Sequence, residues 1–161
     1  MSEYDIKEKI SFRYATKEDI KTIAALEPLI FSDPWTEEMV RADVEARISR
    51  YIIAEMEDET GDGKPRVVGY LGYWLVFDEC SINNVAVVPE LQGHGIGNML
   101  MDRVIEETER FGASVWVLEV RAGNDAAIAL YKKHDFTNVG PRRGYYENGE
   151  DAIMMHRIRE Q

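Results

Sequence analysis

Residues 84–97, NVAVVPELQGHGIG, constrain this chain more than any other stretch. A β-branched run meets Pro89, and Gly93, Gly95 and Gly97 then lead into a helix with apolar periodicity. A strand that hands over to a glycine-rich helix start builds an anion site. Glycine has no Cβ, so the backbone can take positive φ and press its amides close to a ligand. At a helix start those unpaired N–H groups meet the positive end of the macrodipole, which suits phosphate.

The rest of the chain alternates in type. A strand is expected over 10–15, and Thr16 with Asp19 forms a capping-box-like start to a helix over 17–30, with Ile20, Ile23, Ala24 and Leu26 on one face. Ser32, Asp33, Pro34 and Trp35 break that pattern, and Thr36 caps a second helix carrying Met39, Val40, Val44 and Ile48. Strands over 51–56, 66–76 and 81–88 make an antiparallel meander, with an acidic, glycine-rich loop at 57–65. A helix then runs from Gly95 to a stop at Gly112. A strand over 114–120 follows, then a helix from Gly123 and Asn124 through Lys133. Strands over 136–140 and 151–158 close the chain, joined by a hairpin whose tight turn falls near Asn148 and Gly149. The order βααβββαβαββ gives an α/β (α+β) class: a mixed, mostly antiparallel sheet of about seven strands flanked by about four helices. One domain over 1–161 is expected, with 1–9 a flexible tail.

Composition narrows the function. A net charge of -11 repels a phosphate backbone, which disfavours direct nucleic-acid binding and leaves either plain solubility or an acidic face for a basic partner. Cys80 is the single cysteine, so no internal disulfide framework is possible, and the charged N-terminus does not read as a signal peptide. No apolar run approaches a membrane span. A cytoplasmic protein that is a monomer or weak dimer is expected. His94, His134 and His156 lack ligand spacing, so no metal is expected.

Gln92, Gly93, His94, Gly95, Ile96 and Gly97, set between the fourth strand and the next helix, resemble the phosphate loop Q/R-x-x-G-x-G/A of the GNAT N-acetyltransferases. Together with LEVRAGNDAAIALYKKHDF, RRGYY and EDAIMM in the same order, the pattern is similar to the bacterial RimI family, the ribosomal-protein-alanine N-acetyltransferases. The resemblance covers roughly residues 10–158. It implies the GNAT fold and acetyl-CoA as donor. By the same resemblance, main-chain groups of Val85, Ala86 and Val87 bind the pantetheine arm. Residues 93–98, Gly93 to Asn98, hold the pyrophosphate beside Gln92, and Asn124 also touches the cofactor. The acceptor it implies is the N-terminal alanine of a basic small-subunit ribosomal protein. Gly93 and His94 depart from a frequent Arg and Gln, Asn98 from a frequent Arg, and Asp135 from the glycine usual before Phe136.

Acetyl transfer needs a neutral amine, a polarised carbonyl and a proton for the departing thiolate. An N–H near Val87 can polarise the carbonyl. Glu119 matches the family's base, and an apolar strand makes its carboxylate a stronger one. Tyr131 matches the family's acid. The competing structural roles are an ion pair of Glu119 with Arg121 or another cation, and a core position for Tyr131. Cys80 has no base partner and reads as a packed thiol. An α-amine costs about 3.4 kcal/mol less to deprotonate at pH 7 than a lysine, which suits a single carboxylate base. Tyr145, Tyr146 and Glu147, with Trp35 and Glu27, are the expected peptide contacts. The alternatives are another amine acceptor, such as a lysine, a polyamine or an antibiotic, and a non-catalytic acyl-CoA-sensing module.

Overall fold

Runs of β-branched and aromatic residues become strands, and the stripes spaced three and four apart become helices. The computed structural model describes residues 3–57 and 62–160, so part of the acidic loop expected at 57–65 lies outside the described residues. The strands are β1 (Ile10–Tyr14), β2 (Ser49–Met56), β3 (Arg66–Val76), β4 (Glu79–Val87), β5 (Val115–Arg121), β6 (Thr137–Arg142) and β7 (Ala152–Ile158). They form one seven-stranded sheet in the order β1-β2-β3-β4-β5-β7-β6. All neighbours are antiparallel except β4 and β5. The helices are α1 (Glu3–Lys9), α2 (Asp19–Ile30), α3 (Glu37–Val44), α4 (Ile96–Arg110) and α5 (Asp125–Lys133).

The sheet is covered on both faces, and the strand alternation shows how. Ile52 and Ala54 pack with Leu100, Met101 and Val104 of α4. Tyr51 and Ile53, between them in sequence, pack instead with Ile20 and Ile23 of α2 and Val40 of α3. A strand buried on both sides reads as a continuous apolar run, as β2 and β3 do. Each large side chain so enclosed contributes roughly 1.5–3 kcal/mol by leaving water.

Three expectations change. The tail expected at 1–9 contains helix α1, because Ile6 finds a place in the core at 1% exposure. That supplies the fifth helix. Helix α2 begins at Asp19 rather than Lys17, although the Asp19 carboxylate accepts the Thr16 N–H at 2.7 Å as a capping box requires. The β6–β7 connection spans residues 143–151, with the expected tight turn inside it: the Gly149 N–H donates to the Tyr146 carbonyl at 2.9 Å. Thr36 caps α3 as expected, accepting the Met39 N–H at 3.2 Å.

One departure from regular pairing places the site. Strands β4 and β5 are joined only where Glu79–Ser81 face Val115–Val117. Beyond Ser81 and Val117 the two strands part. A bulge at Asn83, where Gly72 opposes Asn84 and Tyr73 opposes Ile82, adds the local bend. The separation exposes main-chain N–H and C=O groups along two facing strand edges, and unpaired backbone groups seek partners.

Candidate active site

After β4, one short turn over Pro89–Leu91 leads into the glycines. Gln92 ties the loop back to the strand end, its Nε2 donating to the Val87 carbonyl at 3.0 Å. Gly93 and Gly95 have φ of 82° and 91°, the left-handed region where a side chain is strained. Gly95 is the N-cap of α4, which has no side-chain cap and no acidic residue in its first turn. The positive end of a fifteen-residue helix is therefore left open to an anion. Ile96, 1% exposed, anchors the turn in the core. His94 is half-buried and folds back, with Nδ1 at 3.2 Å and 3.1 Å from the Leu91 and Gln92 carbonyls. Asn98 is likewise engaged, its Oδ1 3.2 Å from Nε2 of His134. A Cβ on Gly97 would meet a methyl of Leu130 at 3.2 Å, so this glycine serves the close packing of α4 against α5.

Two adjoining cavities fill the gap between β4 and β5. The first, of roughly 320 Å³, brings together Val85 and Asn84 of β4, Glu119 and Arg121 of β5, Asn124 and Tyr131 of α5, Tyr146 of the β6–β7 loop, and Glu27, Asp33 and Trp35 from the α2–α3 region. The second, of roughly 610 Å³, shares Asp33, Trp35, Asn83, Glu119 and Tyr146 with it and adds Trp74, Tyr145 and Glu147. Glu119 thus stands at the wall common to both. Ala86, Val87 and the glycine loop line neither cavity. The Ala86 side chain points to the other face of the sheet, against α2 and α3.

Glu119 is not in the apolar setting its sequence neighbours imply. Leu118 and Val120 are buried on one face of β5, whereas Glu119 projects from the other, with about 26% of its side chain exposed. It accepts a hydrogen bond from Nη1 of Arg142 at 3.1 Å. The same carboxylate is the leading cause that raises the Tyr145 phenol above its ordinary pKa, ahead of desolvation. Arg121 takes different partners: Asp33 and Glu150, each at 3.1 Å, with its guanidinium 3.9 Å from the Tyr146 ring centre.

Tyr131 is 8% exposed and packs at 6.0 Å from the Phe136 ring. No hydrogen bond to its hydroxyl is found among the described residues, and burial pushes its pKa well above that of an ordinary phenol. It holds its proton throughout the neutral range. Asn124 caps α5, its Oδ1 accepting the Ala127 N–H at 3.1 Å, which leaves its amide nitrogen for the cavity. Glu27 is more committed than a peptide contact would be. At 1% exposure it accepts bonds from the Trp35 N–H, the Tyr70 hydroxyl and Nδ2 of Asn84. Cys80 is fully buried, its thiol pushed up to about 12 by desolvation, which fits a packed thiol and not a nucleophile.

Sequence reasoning passed over Asp33, Asn84 and Arg142. Asp33 lay in a helix break and Arg142 in a doublet before Gly144, where no periodicity marks a partner.

Comparison with known proteins agrees with this geometry. The acetyltransferase (GNAT) family matches residues 20–136. The ribosomal protein bS18-alanine N-acetyltransferase of Escherichia coli strain K12 is 34% identical over 140 residues, 85% of this chain and 89% of that one. The N-alpha-acetyltransferase RimI of Mycobacterium tuberculosis is 31% identical over 157 residues, 93% of each. The crystal structure of the Escherichia coli ribosomal-protein-S18-alanine N-acetyltransferase superposes with a TM-score of 0.81 at 30% identity, covering 94% of this chain and 96% of that chain. Sequence and fold therefore lead to one place: the chain belongs to the GNAT family and is an acetyl-CoA-dependent N-acetyltransferase of the RimI type.

Proposed function

We propose that this enzyme acetylates the N-terminal alanine of the small-subunit ribosomal protein bS18, by direct transfer with Glu119 as base and Tyr131 as acid. The observation that carries the reading is that both side chains line one cavity where β4 and β5 part. The acceptor follows from relatives at 31% and 34% identity that are named for N-terminal acetylation.

The chain fits acetyl-CoA on its own features. The α4 N-terminus is uncapped and free of acids, two left-handed glycines bring its amides forward, and β4 has unpaired main-chain groups beside the cavity. Bound acetyl-CoA supplies an activated acetyl group on a thiolate leaving group. Main-chain groups of Val85, Ala86 and Val87 hold the pantetheine arm, and the amides of Gly93, His94, Gly95, Ile96, Gly97 and Asn98 hold the pyrophosphate, with Gln92 fixing the loop. An N–H near Val87 polarises the reacting carbonyl. Glu119 takes the amine proton directly or through water, and Tyr131 gives its proton to the departing sulfur. Trp35, Tyr145, Tyr146 and Glu147 line the side from which a peptide enters, and Glu27 holds Trp35 in place. The basic first residues of such a substrate suit the net charge of -11.

The test is acetylation of an Ala-Arg peptide beside spermine and a lysine peptide blocked at its N-terminus. The proposal expects the free α-amine to be preferred. Turnover of spermine or the blocked peptide alone removes the ribosomal assignment, and acetyl-CoA binding without turnover on any amine removes catalysis.

A further inference from the structure

The base position in this reading is already occupied. Glu119 accepts from Arg142 of β6, and Tyr145, three residues further on, lies against the same carboxylate. The other groups around it are Arg121 and Tyr146, with Asp33 and Glu147 across the second cavity.

The two arginines are held very differently. Arg121 bridges Asp33 and Glu150, covers the Tyr146 ring, and has 22% of its side chain exposed. Among the described residues Arg142 makes a single ion pair, lies 5.5 Å from the Tyr145 ring centre, and has 56% of its side chain exposed. It is also bracketed by Gly140 at φ 133° and Gly144 at φ 62°. Arg121 is therefore a fixture, and Arg142 is a half-exposed cation held to Glu119 by one hydrogen bond.

An incoming α-amine is largely protonated near neutral pH, because its reference pKa is about 7.7–8.0. It reaches Glu119 as an ammonium, the same charge that the guanidinium presents. We propose that Arg142 is a stand-in for the acceptor's ammonium, occupying Glu119 in the acceptor-free protein and yielding the carboxylate when the substrate amine arrives. Arg142 is thus a positioning residue. It holds the Glu119 carboxylate until the acceptor arrives, and it competes with the acceptor for that place. The inference rests on Glu119 being the group that meets the amine.

The test is the split between KM and kcat for the Ala-Arg peptide. Arg142→Gln removes the competitor, so peptide KM falls by roughly threefold, the size expected of a half-exposed ion pair, and kcat changes by less than KM does. Arg142→Lys keeps the charge and retains the wild-type KM. High salt screens the pair and erases the difference between Arg142→Gln and wild type. In a Glu119→Gln background, adding Arg142→Gln leaves peptide KM unmoved. A peptide KM that rises or holds in Arg142→Gln, or a fall that persists in the Glu119→Gln background, overturns the inference. The kcat of Glu119→Gln alone reports separately on the base assignment.

Discussion

The carboxylate of Glu27 receives the main-chain N–H of Trp35 at 2.9 Å, across the break between α2 and α3. It also takes the Tyr70 hydroxyl and the Asn84 amide, so one buried group joins α2 and the α2–α3 connection to β3 and β4 at the point where the site opens. Glu27→Ala leaves three donors without an acceptor and costs about 3 kcal/mol or more. Glu27→Gln keeps one oxygen and costs about half as much. Urea denaturation of both variants measures this, and a loss within about 0.5 kcal/mol for Glu27→Ala contradicts it.

The proposed catalytic pair is read by rate. Glu119→Gln and Tyr131→Phe each lower kcat by roughly 100-fold or more, the usual worth of a general base or acid. No hydrogen bond to the Tyr131 hydroxyl is found among the described residues, so Tyr131→Phe leaves the melting temperature nearly unchanged. Unchanged turnover in both variants removes the assignments.

Gly95→Ala places a Cβ at φ 91°, at a cost of roughly 1–2 kcal/mol in the turn that carries the α4 amides. The expected outcome is a higher KM for acetyl-CoA with the peptide KM unaltered. Equal changes in both constants point to general disruption instead.

Asp135 adopts φ 66° between α5 and β6. Aspartate tolerates this region better than alanine does. Asp135→Ala is therefore less stable than Asp135→Gly by about 1 kcal/mol, read from thermal or urea midpoints. An alanine variant as stable as the glycine variant contradicts the backbone argument.

The pH dependence of stability has an identifiable contributor in Asp19. Two hydrogen bonds from Arg13, at 2.7 Å each, are the main cause that lowers its pKa, helped by the Thr16 amide against the opposing effect of burial. The folded protein thus releases this proton more readily than the unfolded chain. The stabilisation is complete above the ordinary aspartate value of about 3.9 and is lost as pH falls through the lowered folded value. Asp19→Asn flattens the acid side of the stability curve, and an unaltered slope in acid denaturation argues against it.

Much of the fold was legible because strand and helix periods are local properties. The β-branched runs of β2 to β5, the stripe of α4 and the turn at Gly93 and Gly95 each declare themselves within a few residues. Helix α1 did not, because its burial depends on Ile6 meeting a core assembled from distant segments. The site was half legible in the same sense. Glu119 stands out as the one carboxylate in an apolar run and Tyr131 only through the family resemblance, but the partner of Glu119 is 23 residues away on a strand that reaches β5 only through β7.

By itself the sequence determined the order of elements, the glycine turn and the residue types able to move protons, since these follow from backbone freedom and side-chain chemistry. Only the tertiary structure decided that β4 and β5 part after Ser81 and Val117, and that Glu119 meets Arg142 rather than Arg121. Both outcomes depend on which strands lie beside one another, and pairing between distant segments is set by the packing of the whole sheet.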